Sequence, residues 1–187
     1  TDYLYGGSDG AYMSGNSGSD YFYLYSGTDS EYMYGGADND TVYTYGGINQ
    51  YDDYYGGTGS DTAYFYGSTP LYFNGTSGTV DNRYGGFATD LAFQDFENVY
   101  AGSGNDLFYG GTGSENFYGN SGSDTLYSGG GFDYIYGGAD TDYLAVGDGG
   151  GVAYGGDAAD YFYSGGTQDS EDFHGDAGND LVYVYGG

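Results

Sequence analysis

The sequence predicts an all-β fold, a right-handed parallel β-solenoid in which two sheets enclose a narrow core. A short unit recurs at a period of nine residues over much of the chain. Glycine is abundant, with 42 copies in 187 residues, whereas proline occurs once. Apolar and tyrosine residues alternate in the short segments between the glycine-rich turns. A chain that repeats one turn and one short strand builds stacked coils, each of which buries the face of its neighbour.

The repeated unit reads G-G-x-G-x-D-x-U-x, where U is apolar. Its sixth position is acidic at Asp106, Glu115, Asp124, Asp133 and Asp142, each nine residues after the one before. Elsewhere alternate acids lie nearer twenty residues apart, because some units carry two further residues after the apolar position. Two units therefore make one coil, and one strand of some coils is longer by two residues.

The first six positions of each unit predict a tight turn. Glycine adopts positive φ angles at no steric cost, and aspartate or asparagine adopts them more readily than other residues. Where the fourth residue is not glycine it is often one of these, as at Asp38, Asn49 and Asp140. The residues that replace glycine are thus those that can also adopt the backbone conformation of the turn.

The three residues after the acid predict a strand whose middle side chain points into the core, since side chains alternate between the faces of a strand. The predicted inward set is apolar throughout: Leu4, Met13, Phe22, Met33, Val42, Ala63, Ala92, Phe108, Phe117, Leu126, Ile135, Leu144, Phe162, Phe173 and Val182.

The charge of the chain restricts its partners. A net charge of -27, with Arg83 as the only basic side chain, argues against nucleic acids and anionic membrane surfaces and favours cations. The absence of cysteine excludes disulfides and thiolate metal sites. No apolar run is long enough to insert into a membrane. We therefore expect no nucleic acid partner and no membrane insertion.

A stacked column of carboxylates requires a counter-ion. Neighbouring coils lie about 4.8 Å apart, and two carboxylates at about 5 Å repel by about 3 kcal/mol at an effective dielectric near 20. Oxygen ligands in flexible loops suit calcium better than magnesium, and a single histidine without cysteine argues against zinc or copper. The alternative is that the acids are solvated turn residues that only improve solubility.

The segments GGTGSENFY, GNSGSDTLY, GGADTDYLA and GDAGNDLVY resemble the RTX family of calcium-binding nonapeptide repeats, which fold as a parallel β-roll. The resemblance implies calcium between neighbouring turns on the same side, held by the sixth-position acid and loop carbonyls. The chain departs from the pattern at Ala11 and Gly151, and by the presence of Glu at three sixth positions.

Sixteen acids are the candidate ligands for multiple calcium ions. They are Asp2, Asp20, Glu31, Asp40, Asp53, Asp61, Asp81, Asp90, Asp106, Glu115, Asp124, Asp133, Asp142, Asp160, Glu171 and Asp180. Residues 1–187 are predicted to form a single roll, a segment of a longer repeat protein, with irregular coils around 44–60 and 67–100. We expect the chain to be mostly unfolded without calcium.

The 29 tyrosines predict columns of stacked rings along both outer faces. Strand propensity and ring stacking explain some of them, but a wide aromatic surface also favours self-association. The sequence therefore indicates an extracellular or cell-surface structural or adhesive protein that self-assembles, for example into a fibre or sheath. The alternatives are a calcium-folding secretion or stabilising module of a larger secreted enzyme or toxin, and an ice-binding roll. No catalytic constellation accompanies the sole histidine, His174, so no enzyme is predicted.

Overall fold

The fold is built from β-strands joined by turns. The computed structural model describes residues 1–7, 10–25, 30–45, 52–68, 70–74, 80–81, 90–94, 96–165 and 170–185. Its twenty strands are β1 (Tyr3–Gly6), β2 (Ala11–Ser17), β3 (Tyr21–Tyr25), β4 (Glu31–Ala37), β5 (Thr41–Tyr45), β6 (Asp53–Thr58), β7 (Thr62–Tyr66), β8 (Tyr72–Asn74), β9 (Val80–Asp81), β10 (Asp90–Gln94), β11 (Asn98–Tyr100), β12 (Leu107–Tyr109), β13 (Asn116–Ser121), β14 (Thr125–Tyr127), β15 (Asp133–Ala139), β16 (Tyr143–Val146), β17 (Gly151–Gly156), β18 (Tyr161–Ser164), β19 (Glu171–Asp176) and β20 (Leu181–Val184). Within these ranges no helix is long and apolar enough to cross a membrane.

The strands form three sheets, and the chain alternates between one long face and an opposite face. The long face is a nine-stranded sheet in the order β1-β3-β5-β7-β11-β13-β15-β17-β19. The opposite face holds a five-stranded sheet, β2-β4-β6-β10-β9, and a six-stranded sheet, β8-β12-β14-β16-β18-β20. Most pairs are parallel and in register, which confirms the predicted parallel β-solenoid of stacked coils.

The eighth-position side chains form the core, as predicted. Phe22 pairs in register with Val42, and Phe117 with Ile135, and all four side chains are fully buried. A further inward row comes from the fourth residue of the longer strands, where Leu24 is buried. The prediction was wrong for Val182, which is 51% exposed on β20, the outermost strand of its sheet.

The predicted register was also wrong by one residue at β6. Met33 of β4 pairs with Tyr54, so Tyr54 points inward and is 1% exposed. Asp53 pairs with Tyr32, which places Asp53 at the seventh position and Asp52 at the sixth. Consecutive acids at 52 and 53 make the two registers equally compatible with the acidic pattern, and burial of the Tyr54 ring selects between them.

Strands β8, β9 and β10 form an excursion between β7 and β11, which are direct neighbours in the nine-stranded sheet. β9 and β10 are antiparallel, and Asp81 pairs with Asp90. Ala92 pairs with Asp53 and Phe93 with Tyr54, so the backbone register differs by one residue from the one predicted for Ala92, and the side chains of both residues lie outside the described part of the chain. Continuing this register places Leu91, and not Asp90, beside Asp52. The side chains of Asp81 and Asp90 lie outside the described part of the chain.

The outer surface of the nine-stranded sheet carries one unbroken column of rings, here called the long ring column. Consecutive ring centroids lie 4.1 to 5.1 Å apart and the planes are nearly parallel. A short ring column beside it consists of Tyr25, Tyr45 and Tyr66. The long ring column comprises Tyr5, Tyr23, Tyr43, Tyr64, Tyr100, Tyr118, Tyr136, Tyr154 and His174.

Candidate metal-binding turns

The residues that begin each strand or lie immediately before it line up in three acid columns, because the strands are paired in register. The first acid column precedes the nine-stranded sheet and contains Asp2, Asp20, Asp40, Asp61, Glu97, Glu115, Asp133 and Glu171, interrupted by Gly151. The second acid column precedes the six-stranded sheet and contains Asp106, Asp124, Asp142, Asp160 and Asp180. The third acid column precedes the five-stranded sheet and contains Glu31 and Asp52, with Ala11 at the same level in the first coil.

Within a column, each carboxylate is fixed by the backbone of the coil before it. The N–H of Asp106 donates to Oδ1 of Asp124 at 2.7 Å, and the N–H of Asp124 donates to Oδ1 of Asp142 at 2.8 Å. The same bond joins Asp142 to Asp160 at 2.9 Å and Asp160 to Asp180 at 3.0 Å. These charge-assisted bonds hold one oxygen of each carboxylate in place and set its orientation.

The first and third acid columns repeat this arrangement. The N–H of Asp20 donates to Oδ1 of Asp40 at 2.9 Å, and the N–H of Glu31 donates to Oδ1 of Asp52 at 3.0 Å. Oδ1 of Asp133 accepts from the N–H of Glu115 at 2.9 Å. One bond thus links successive coils at both edges of the roll.

The second oxygen of many of these carboxylates is buried without a hydrogen-bond partner. A buried anionic oxygen without a donor is strongly unfavourable unless a cation compensates it. Such oxygens are found in all three columns, and they are Oδ2 of Asp20, Asp40, Asp106, Asp124, Asp133, Asp142 and Asp160, Oε1 of Glu31 and Glu171, and Oε2 of Glu115.

These oxygens point into the glycine-rich turns. Oδ2 of Asp124 packs on Gly119, the first residue of its own turn, so closely that a Cβ there would collide with it. The carbonyl oxygen of Gly137 in the next coil lies 2.6 Å from the position that a Cβ on Gly119 would occupy. Oδ2 of Asp142 packs on Gly137 in the same way, close to the carbonyl of Gly155. Carboxylate and carbonyl oxygens from adjoining turns therefore converge, and these are the hard ligands that calcium prefers.

Side chains alone do not complete a coordination sphere in the described part of the chain. No three acidic or histidine side chains there are grouped closely enough to hold an ion. Each turn supplies one carboxylate per coil to its acid column, and a cation bound there would take further ligands from backbone carbonyls. The donor set present thus fits calcium, which accepts six to eight oxygens in flexible geometry.

Burial raises the pKa of the column carboxylates. Burial is the largest cause for Asp124, with a pKa of about 8, and the charges of Asp106 and Asp142 add to it. The same cause raises the pKa of Asp142 to about 7 and those of Asp106 and Asp40 to about 6. The backbone hydrogen bonds oppose the shift, but they do not offset it. Without a cation, the fold therefore favours the protonated carboxyl groups.

Glutamate turns differ from the aspartate turns because two carboxyl groups lie side by side. Burial and the charge of Asp133 raise the pKa of Glu115 to about 7. Burial and the charge of Asp52 raise the pKa of Glu31 to about 7, while the Tyr54 hydroxyl donates to Oε2 of Glu31 at 3.4 Å. The glutamate side chain is longer than that of aspartate and brings its carboxyl group close to a neighbouring acid. Two carboxyl groups therefore lie close together in these turns.

Sequence reasoning missed two column acids, Asp52 and Glu97. Oε2 of Glu97 accepts the N–H of Asp61 at 2.6 Å, so Glu97 continues the first acid column. A signal was present at Glu97, because an inward Val99 and an outward Tyr100 follow it at the usual spacing. It was missed because no glycine-rich turn precedes it. Of the predicted ligands, Asp53 lies outside the columns, and the backbone register gives Asp81 and Asp90 no place in them.

Comparison with known proteins agrees with this geometry. A profile of the RTX calcium-binding nonapeptide repeat matches the chain in four copies, at residues 1–31, 32–51, 94–126 and 118–153. No curated protein shows significant sequence similarity to the chain. The matched segments span more than half of the chain and contain most of the turns described above. The chain therefore belongs to the RTX family of calcium-binding nonapeptide repeat proteins.

Proposed function

We propose that this protein is an extracellular or cell-surface structural module that folds on binding several calcium ions and assembles through its tyrosine-rich faces. The proposed calcium ligands are the acids of the three columns together with the glycine carbonyls beside them. Binding energy gained only in the folded state becomes folding energy, so the ions would control both folding and assembly. We propose no catalytic role.

The observation that carries the assembly proposal is the long ring column. It runs over all nine strands of one face with rings that are mostly half-buried, and exposed tyrosines such as Tyr25 and Tyr66 lie beside it. Soluble monomers rarely display a continuous aromatic surface of this kind. Tyrosine combines a large contact area with a hydroxyl group, and such residues are enriched at contacts between proteins.

Charge explains why assembly would depend on calcium. At -27, two copies of the metal-free chain repel each other at any orientation. Ions bound in the turns at the edges of the roll would remove much of this repulsion while the outer sheet faces stay accessible. Calcium would thereby act twice, first on the fold and then on the approach of a second copy.

Sedimentation velocity and negative-stain electron microscopy of the protein in excess calcium test this proposal. We expect large assemblies with calcium and none with chelator. Replacing Tyr23, Tyr43 and Tyr64 together by threonine should abolish assembly while the calcium-loaded fold persists, because threonine keeps strand propensity but removes the rings. The same positions replaced by phenylalanine form the matched control. Monodisperse monomers of the wild type in calcium would contradict the proposal.

The second candidate is a calcium-folding module attached to a secreted enzyme or toxin. The buried carboxylate oxygens support it equally, since a fold that needs calcium in these turns would form outside cells, where calcium is abundant. It requires no self-association, so the sedimentation experiment separates the two functions.

A further inference from the structure

The short ring column stops in the middle of the nine-stranded sheet. Its centroid spacings are 5.3 Å from Tyr25 to Tyr45 and 5.0 Å from Tyr45 to Tyr66. In the next coil, Ala63 pairs with Val99 and Tyr64 with Tyr100, so continuing this register puts Gly102 level with Tyr66. No ring follows Tyr66 at this step, and its side chain is 53% exposed.

The space beyond Tyr66 is a cleft of about 530 Å³, within the size range of small-ligand sites. Its lining includes Tyr64, Tyr66, Tyr100, Gly102, Ser103 and Asn120. Gly102 forms part of the lining, and a Cβ at that position would collide with the carbonyl oxygen of Gly67. The fold therefore keeps side chains out of this position.

The cleft combines a stacking surface with polar groups. The walls are mostly apolar, and the exposed face of the Tyr66 ring continues the direction of the short ring column. Ser103 and Asn120 add a hydroxyl and an amide, and Nδ2 of Asn120 donates to the carbonyl of Ala101 at 2.5 Å. That bond orients the amide and leaves Oδ1 available to accept from a ligand.

We propose that this cleft binds a neutral pyranose ring that stacks on Tyr66. A pyranose presents an apolar C–H face to an aromatic ring and hydroxyl groups at its edge, which matches one tyrosine face beside hydroxyl and amide groups. The spacing of about 5 Å per coil accommodates one ring per step. Among the residues that the structure describes, no basic side chain lines the cleft, so it offers no partner to the carboxylate of an anionic sugar. This site requires the folded roll but not self-assembly.

Isothermal titration calorimetry of the calcium-loaded protein with cellohexaose, xylohexaose and maltohexaose tests the site. We expect the protein to bind at least one of these neutral hexasaccharides and not to bind the anionic hexagalacturonate. Tyr66→Ala should weaken binding by at least about tenfold, equivalent to about 1.4 kcal/mol. Tyr66→Phe should retain binding, because it preserves the ring.

Tyr127→Ala is the matched control. Tyr127 is 41% exposed and also ends a ring stack, since Ala145 is its partner in the next coil. The Tyr127→Ala variant should bind the hexasaccharide with the affinity of the wild type. Circular dichroism should show that both alanine variants are folded in calcium. Equal affinity of Tyr66→Ala and the wild type, equal loss in both alanine variants, or no binding of any neutral hexasaccharide would overturn the proposal. Self-association that Tyr66→Ala abolishes, without sugar binding, would assign the cleft to a second copy instead.

Discussion

Asp142 binds its neighbour in the second acid column with one oxygen only. Its Oδ1 accepts the backbone N–H of Asp124 at 2.8 Å, whereas its Oδ2 is buried beside Gly137 without a hydrogen-bond partner. The first bond orients the carboxylate and the second oxygen is left for a cation. Because this division recurs along the columns, the stability of the fold should respond to changes in the cation, in the charge of the carboxylate and in the space around it.

Removal of calcium should unfold the protein at neutral pH. Ionised column carboxylates would then be buried and close together, and the small core cannot compensate for this cost. We expect the far-UV circular dichroism signal of β-structure to be lost in excess EDTA and regained on adding calcium but not magnesium. A β signal that chelation leaves unchanged would contradict the requirement of the fold for calcium.

The metal-free chain should fold at acidic pH. The pKa values of Asp40, Asp106, Asp142 and Asp124 in the fold are about 6, 6, 7 and 8, above the ordinary value near 4. Raised carboxyl pKa values stabilise the fold below the ordinary pKa, and this stability is lost as the pH rises through about 6 to 8. Circular dichroism in EDTA should therefore show β-structure near pH 4 that disappears by about pH 8. The opposite dependence, with folding only at high pH, would contradict the burial of these groups.

Asp124→Asn should have opposite effects with and without calcium. The amide keeps an oxygen for the N–H of Asp106 but loses the charge, so the calcium-loaded form should lose about 2 kcal/mol of unfolding free energy. In EDTA, the variant should stay folded to a higher pH, because an ionisable buried group has been removed. Urea unfolding and the acid transition measure the two effects.

The matched control for that pair of measurements is Asp148→Asn. Asp148 is exposed and lies outside the acid columns. It should change neither transition by more than about 0.5 kcal/mol. A loss of stability in both conditions for Asp124→Asn would indicate a packing role and not an ion-binding one.

Asp52 and Asp53 should respond differently to the same substitution. Asp52 is 3% exposed and accepts the N–H of Glu31, whereas Asp53 lies at the outward seventh position. In calcium, Asp52→Ala should cost about 2 kcal/mol or more, and Asp53→Ala distinctly less. Chemical unfolding of the two variants compares them directly, and a larger effect at Asp53 would contradict the register of β6.

Gly137→Ala should destabilise the calcium-loaded fold by about 2 kcal/mol. The added methyl group would meet Oδ2 of Asp142 and the carbonyl of Gly155, both of which line the same turn. Gly7→Ala is the control, since no atom lies within 4 Å of its Cβ position. In a calcium titration followed by circular dichroism, the calcium concentration at half-maximal folding should rise for Gly137→Ala only. Equal midpoints would mean that the turn can expand at no cost.

The sequence predicted the repeated part of this fold because turn, acid and inward residue recur together, as at Asp124 and Leu126. Prediction failed where one of these signals was ambiguous or missing. Asp52 and Asp53 both satisfy the acidic pattern, and only burial of Tyr54 distinguishes them. Asp81 and Asp90 pair in antiparallel strands, whereas a repeat of identical units predicts only parallel pairing.

The excursion between β7 and β11 also moves the regular aspartate turns from one edge of the roll to the other. Before it, Asp20 and Asp40 precede strands of the nine-stranded sheet; after it, Asp124 and Asp142 precede strands of the six-stranded sheet. A cation bound in one turn would assist binding in the adjoining turn through the carboxylate that they share, but none of the three acid columns connects one edge to the other. We therefore expect the two edges to take up calcium as separate cooperative units, each with its own threshold concentration of calcium.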